Sequence, residues 1–251
     1  MSSTIKRVLL AFACVAVAGH ALAADPKGKV SAGEAQVRKG LENVTAPGSV
    51  ESVRKAGYGN FYEVLLNNGD IIYADETGSF FFGGPLIDMK TRQNVTQQRE
   101  SELARINPAD LPLSQALKQV RGNGKRTLIT FEDPNCVYCK RLAKDLQNIK
   151  DATVYTFLIP ILSPDSAEKG KNIWCSADRA KTWNDWMVDG KVPPTVGNCD
   201  SNPLQKNSEL AQKLRIKGTP TMFLSDGNRI GGYVALTDLD KMINDAAGAK
   251  K

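Results

Sequence analysis

The sequence predicts an α+β chain of two unlike units joined by a helix, and three observations carry that prediction. Between Val50 and Asp88, short apolar runs are broken by turn residues, as in a small antiparallel sheet. From Arg126 to Pro160, a β-branched strand, a helix with Leu142, Leu146 and Ile149 on one face, and a second β-branched strand follow one another as a βαβ unit. Between the two, residues 96–106 are charged and polar, and Asn107-Pro108 stops them.

The chain opens with Lys6-Arg7, an apolar run from Val8 to Ala18 and Ala21-Leu22-Ala23. This is the pattern of a signal peptide cleaved after Ala23, and the run is too short to span a bilayer comfortably. Cleavage removes two cations and no acid, so the formal charge of +6 falls to +4. An excess that small, spread along the chain, excludes nucleic acid as a partner. Cleavage also removes His20, the single histidine, and with it Ser-His-Asp, Cys-His and histidine-metal chemistry. Of five cysteines Cys14 is lost, leaving Cys136, Cys139, Cys175 and Cys199 in an oxidising compartment.

Residues 24–48 read as a helix with a thin apolar stripe of Val30, Ala35, Val37 and Leu41. Phe61 to Leu66 and Ile71 to Ala74 flank Asn67-Asn68-Gly69-Asp70, a hairpin signal, and a turn at residues 75–78 leads into Phe80-Phe81-Phe82. Those aromatics exceed what a unit of this size covers easily. Two readings stand: a local core, or pairing with a second copy through an exposed strand edge. The domains are thus 24–95, a helical linker 96–112 and 113–251.

The second unit begins with an expected helix from Ser114 to Val120 and the turn Gly122-Asn123-Gly124. Its strand, Arg126 to Phe131, runs into Glu132-Asp133-Pro134-Asn135-Cys136-Val137-Tyr138-Cys139. Cys136 therefore stands where a helix starts, and unpaired N–H groups and the helix dipole favour a thiolate there. Cys139, one turn inside, is the less exposed and less acidic partner. A pair so placed attacks a foreign disulfide with the first sulfur and releases the mixed disulfide with the second.

Residues 164–215 read as mostly helical and polar, with Trp174, Trp183 and Trp186 as packing residues. Cys175 and Cys199 lie 24 positions apart around Pro193-Pro194. Neither a zinc site nor a catalytic pair suits that spacing, and a structural disulfide is the expectation. Gly218-Thr219-Pro220 enters the strand Thr221 to Leu224, a setting that admits a cis peptide bond. A strand from Ile230 to Val234 and a helix from Thr237 to Ala247 close the chain.

Taken together, Asp133-Pro134-Asn135-Cys136-Val137-Tyr138-Cys139, Ile173-Trp174-Cys175 with Cys199, Gly218-Thr219-Pro220-Thr221, and Tyr62 through Asp88 resemble the periplasmic disulfide isomerases of the DsbC/DsbG type. The overall spacing is nearer DsbC, whereas Asp133-Pro134 looks more like DsbG. The resemblance implies a C-terminal thioredoxin-like domain with a helical insertion, joined by a helix to a small cystatin-like domain that dimerises. It implies Cys136 as nucleophile, Cys139 as resolving thiol, Pro220 as a cis-proline facing them, Thr219 and Tyr138 as substrate contacts, and Cys175–Cys199 as the structural disulfide. Implied partners are wrongly oxidised exported proteins, a second copy of the chain and a DsbD-type membrane reductant, with no cofactor. A reductase of sulfenylated cysteines and a redox-linked chaperone are the rival functions. Two departures stand out: Val137 occupies the place of Gly or Pro, and Thr130 stands six residues before Cys136, where ordinary thioredoxins keep a buried Asp.

Overall fold

A computed structural model describes residues 30–197, 199 and 203–248; the expected signal segment, with Cys14 and His20, lies outside the described residues. Helix α1 (Ala32–Glu42) is started by Ser31, whose hydroxyl accepts from the Glu34 amide while the Glu34 carboxylate accepts from the Ser31 amide. It buries Val37 and Leu41 on an antiparallel sheet of β1 (Val50–Lys55), β2 (Tyr62–Leu66), β3 (Ile71–Ala74) and β4 (Phe81–Gly83), in that spatial order. Val30 and Ala35 are exposed, so the stripe expected on this helix is reduced to Val37 and Leu41.

The outer face of the sheet is covered by Leu86 and by helix α2 (Val95–Leu103). Sequence composition made this segment a solvated linker, since it has almost no apolar stripe. It is instead held by polar contacts: Thr96 is buried, its Oγ1 lies 2.6 Å from the Tyr73 hydroxyl and accepts from the Leu86 amide, and Arg99 donates to the buried Glu63 carboxylate at 3.1 Å. Glu63 also takes Arg54, so its charge is paired from two sides. Phe80, Phe81 and Phe82 stay exposed along the free edge at β4.

The second unit holds a five-stranded sheet of β5 (Leu117–Arg121), β6 (Arg126–Glu132), β7 (Ala152–Leu158), β8 (Thr221–Leu224) and β9 (Arg229–Gly231), ordered β5-β7-β6-β8-β9. Only β6 and β7 run parallel, as the βαβ connection through α3 requires. On one face, Leu128, Val154 and Met222 pack under α3 (Val137–Asp145) and α7 (Leu236–Gly248). On the other, Ile129, Phe131, Phe157 and Phe223 pack together, with Phe131 stacked on Phe157 at 4.7 Å. Three helices, α4 (Pro164–Trp174), α5 (Arg179–Met187) and α6 (Leu204–Lys213), form the insertion between β7 and β8.

The strand expected from Ile230 to Val234 is only Arg229–Gly231, and one element differs in type from the sequence expectation. The helix expected from Ser114 to Val120 is a single 3-10 turn, Leu113–Gln115, followed by strand β5. Leu117 is buried while Val120 is half exposed, a pattern too short to show a period, and antiparallel pairing with β7 decides the conformation.

Candidate active site

Strand β6 delivers the chain to the rim of the sheet, and Asp133-Pro134-Asn135 turns it into α3. The turn is fixed from the insertion side. Asp133 is fully buried, and its carboxylate accepts from the Asn135 amide at 2.7 Å, the Ser166 hydroxyl at 2.8 Å and the Ile161 and Leu162 amides at 2.8 and 2.9 Å. Asn135 Nδ2 donates to Asp165 at 2.6 Å, and Trp186 Nε1 donates to the Pro134 carbonyl at 2.6 Å. Lys140 Nζ sits 3.8 Å above the Trp186 ring. The turn therefore has little freedom, and whatever it carries is held in place.

It carries Cys136 as the N-cap of α3. The sulfur accepts from the Cys139 amide at 3.3 Å, the bond a capping serine or aspartate would make. Across the site, Cys136 Sγ lies 3.3 Å from the Thr219 carbonyl oxygen, and the Thr219-Pro220 peptide is cis. Interactions with the Cys139 thiol, the Thr219 side chain and the Tyr138 and Cys139 amides outweigh burial and lower the Cys136 thiol to about 6. Cys139 is shifted in the opposite direction, first by burial and then by the Cys136 sulfur and the charges of Glu132 and Cys136. One thiol is thus held as thiolate at neutral pH and its partner as thiol. Such a pair can attack a disulfide and then close on itself.

Cys136 and Cys139 are 5% and 0% exposed, so both are buried and only the outer residue keeps any accessible surface. Val137, Tyr138, Ile161 and Leu162 are all exposed, an apolar rim formed by the start of α3 and the loop after β7. Cys175 and Cys199 are joined by a disulfide with Cα atoms 5.7 Å apart, closing the insertion beside Trp174 and Trp183. Sequence reasoning assigned no role to Asp133 or to Glu132, which ends β6 fully buried. For both, the signal available was an acid directly continuing a buried strand.

The comparisons with known proteins agree across both units. Residues 113–247 match the model of the thioredoxin-like domain, and residues 28–97 match that of the disulfide bond isomerase protein N-terminal domain. A probable thiol:disulfide interchange protein DsbC of Bordetella parapertussis is 45% identical over 76% of this chain and 67% of its own length. The thiol:disulfide interchange protein DsbC of Escherichia coli is 24% identical over 73% of this chain and 77% of its own. The structure of a disulfide interchange protein from Neisseria gonorrhoeae superposes with a TM-score of 0.52 at 40% identity, over 55% of this chain and 99% of that one. On this evidence the chain belongs to the DsbC family of thiol:disulfide interchange proteins.

Proposed function

We propose that the chain rearranges wrongly formed disulfides in exported proteins by thiol–disulfide exchange, with Cys136 as the attacking thiolate and Cys139 as the resolving thiol. The observation that carries this is the placement of the Cys136 sulfur: at the N-cap of α3, 3.3 Å from the Cys139 amide, and titrating near 6. Attack forms a mixed disulfide at Cys136. A second substrate thiol then completes isomerisation, or Cys139 completes reduction. Thr219 and cis Pro220 form the wall opposite the sulfur, and Tyr138 forms part of the rim, as substrate contacts would. The Cys175–Cys199 bond holds the insertion and takes no part in exchange.

Further elements of the reading concern the assembly. The free β4 edge with its exposed phenylalanines suits pairing with a second copy, giving a homodimer with two redox centres. The periplasm is the compartment, following export with removal of residues 1–23, and a DsbD-type membrane reductant returns the pair to its dithiol state. Among the described residues no helix is long and apolar enough to cross a membrane. The apolar rim of Val137, Tyr138, Ile161 and Leu162 favours a chaperone-like hold on unfolded substrate as a second activity.

Refolding of a scrambled multi-disulfide substrate tests the assignment. Cys136→Ala removes isomerase activity, whereas Cys139→Ala retains attack but accumulates mixed disulfide. Full activity in Cys136→Ala contradicts it.

A further inference from the structure

The exchange leaves one proton unaccounted for, that of Cys139, and a second buried acid lies beside the pair. Glu132 ends β6 on the face that carries Leu128 and Thr130, and on this face Leu128 packs against Leu142 and Leu146 of α3 and its C-terminal cap. Its side chain therefore lies under the helix whose first turn holds Cys139, and it is 1% exposed. Thr130, which stands six residues before Cys136, donates to Glu132 Oε1 at 2.7 Å. Glu132 Oε2 has no hydrogen-bond partner. The contrast with its neighbour is sharp: Asp133 accepts from four donors and is equipped to remain an anion, whereas Glu132 accepts one. A carboxylate left so bare in a core is costly, so the fold holds Glu132 as a neutral acid while the pair is reduced.

The groups that face it explain when this changes. Helix α3 presents Cys136 and Cys139, β7 presents Thr156 and β8 presents Met222 on the same face, while Asp133, next in the chain, turns away to the loop after β7. Burial first, then the charge of Cys136, outweigh the Thr130 hydrogen bond and raise the Glu132 carboxyl to about 8. The charge of Glu132 in turn raises Cys139. The three groups share a single region in which two negative charges are disfavoured together.

We propose that Glu132 is the proton acceptor for the Cys139 thiol, and that it becomes competent only once Cys136 is bonded to substrate. This rests on the reading of Cys136 as the nucleophile. Attack of the Cys136 thiolate breaks the substrate disulfide, and the negative charge departs on the first substrate sulfur. Glu132 then ionises, its proton passing to water. The Glu132 carboxylate takes the Cys139 proton, and the Cys139 thiolate attacks Cys136 Sγ. The Cys136–Cys139 bond forms, the electron pair of the mixed disulfide leaves on the second substrate sulfur, and that sulfur is protonated from water. The cysteine pair is oxidised by two electrons and the substrate disulfide is reduced to one thiolate and one thiol. Glu132 so placed sets the branch between outcomes: fast escape through Cys139 gives reduction, and slow escape leaves time for a second substrate thiol to attack, which is isomerisation.

The test uses the full-length reduced protein and oxidised glutathione, with acid quenching and mass spectrometry to separate the Cys136–glutathione adduct from the internal disulfide. In Glu132→Gln, formation of the adduct stays within about twofold of native, while its resolution slows about a hundredfold and loses its pH inflection; Glu132→Asp restores part of the rate. Native resolution kinetics at every pH in folded Glu132→Gln overturn the proposal. Should that variant not fold, the Glu132 carboxyl is titrated by isotope-edited infrared spectroscopy in native protein, reduced and with Cys136 S-methylated. A lower midpoint after methylation supports the gate, and an unchanged midpoint overturns it. Failure of the underlying assignment is separable, because adduct would then form at a cysteine other than Cys136.

Discussion

Cys136 Sγ and the Thr219 carbonyl oxygen face each other at 3.3 Å, which places the residue before cis Pro220 against the sulfur that begins the chemistry. Two segments 83 residues apart thus share one site, and the Thr219 side chain contributes to the low titration point of the thiol.

Thr219→Val removes that hydroxyl and raises the Cys136 titration point. Loss of the side chain's lowering effect on the thiol slows attack at pH 6 by about fivefold, on the order of 1 kcal/mol. Stopped-flow reaction with a chromogenic disulfide measures it, and an unchanged rate shows that the side chain does not help hold the charge.

Asp133→Ala leaves the Asn135, Ile161 and Leu162 amides and the Ser166 hydroxyl without their acceptor. Unfolding in urea is expected to show a loss of about 3 kcal/mol, together with slower attack by Cys136 because the turn is no longer fixed.

Replacing Cys175 and Cys199 by Ala opens the closed loop of the insertion. Stability falls by about 3 kcal/mol in the chain-entropy estimate, and the alkylation rate of Cys136 stays unchanged. A marked change in that rate would tie the bond to the redox centre.

The pH dependence of stability has a sign set by Glu132. Its carboxyl is raised from 4.5 to about 8, mainly by burial and further by the Cys136 charge, so the folded state holds a proton that the unfolded state gives up. Its contribution is complete below pH 4.5 and is lost as pH rises through about 8, on the order of a few kcal/mol in all. Reduced Glu132→Gln, which has nothing to ionise, gains on the native protein across that window in urea titrations. Parallel curves would mean that Glu132 ionises as freely in the fold as outside it.

Much of this was legible in the chain itself. The β-branched runs of β6 and β7, the helical spacing of Leu142 and Leu146, and Asn68-Gly69 between apolar strands all express their structure locally. Strand β5 did not, because a segment with one buried side chain takes its conformation from the strand it pairs with. Helix α2 read as solvated because Thr96 and Arg99 dock it through polar contacts that an apolar count misses. The roles of Asp133 and Glu132 depend on direction: one turns to a loop and a helix about 30 residues later, the other under α3. No local pattern records which way a carboxylate points.

The most direct test of the central claim is the pH dependence of alkylation of the reduced protein by iodoacetamide, with the modified cysteine located by mass spectrometry. The account predicts a single inflection near pH 6, with label on Cys136 and none on Cys139. An inflection at the value of a free thiol, or label arriving first at Cys139, contradicts it.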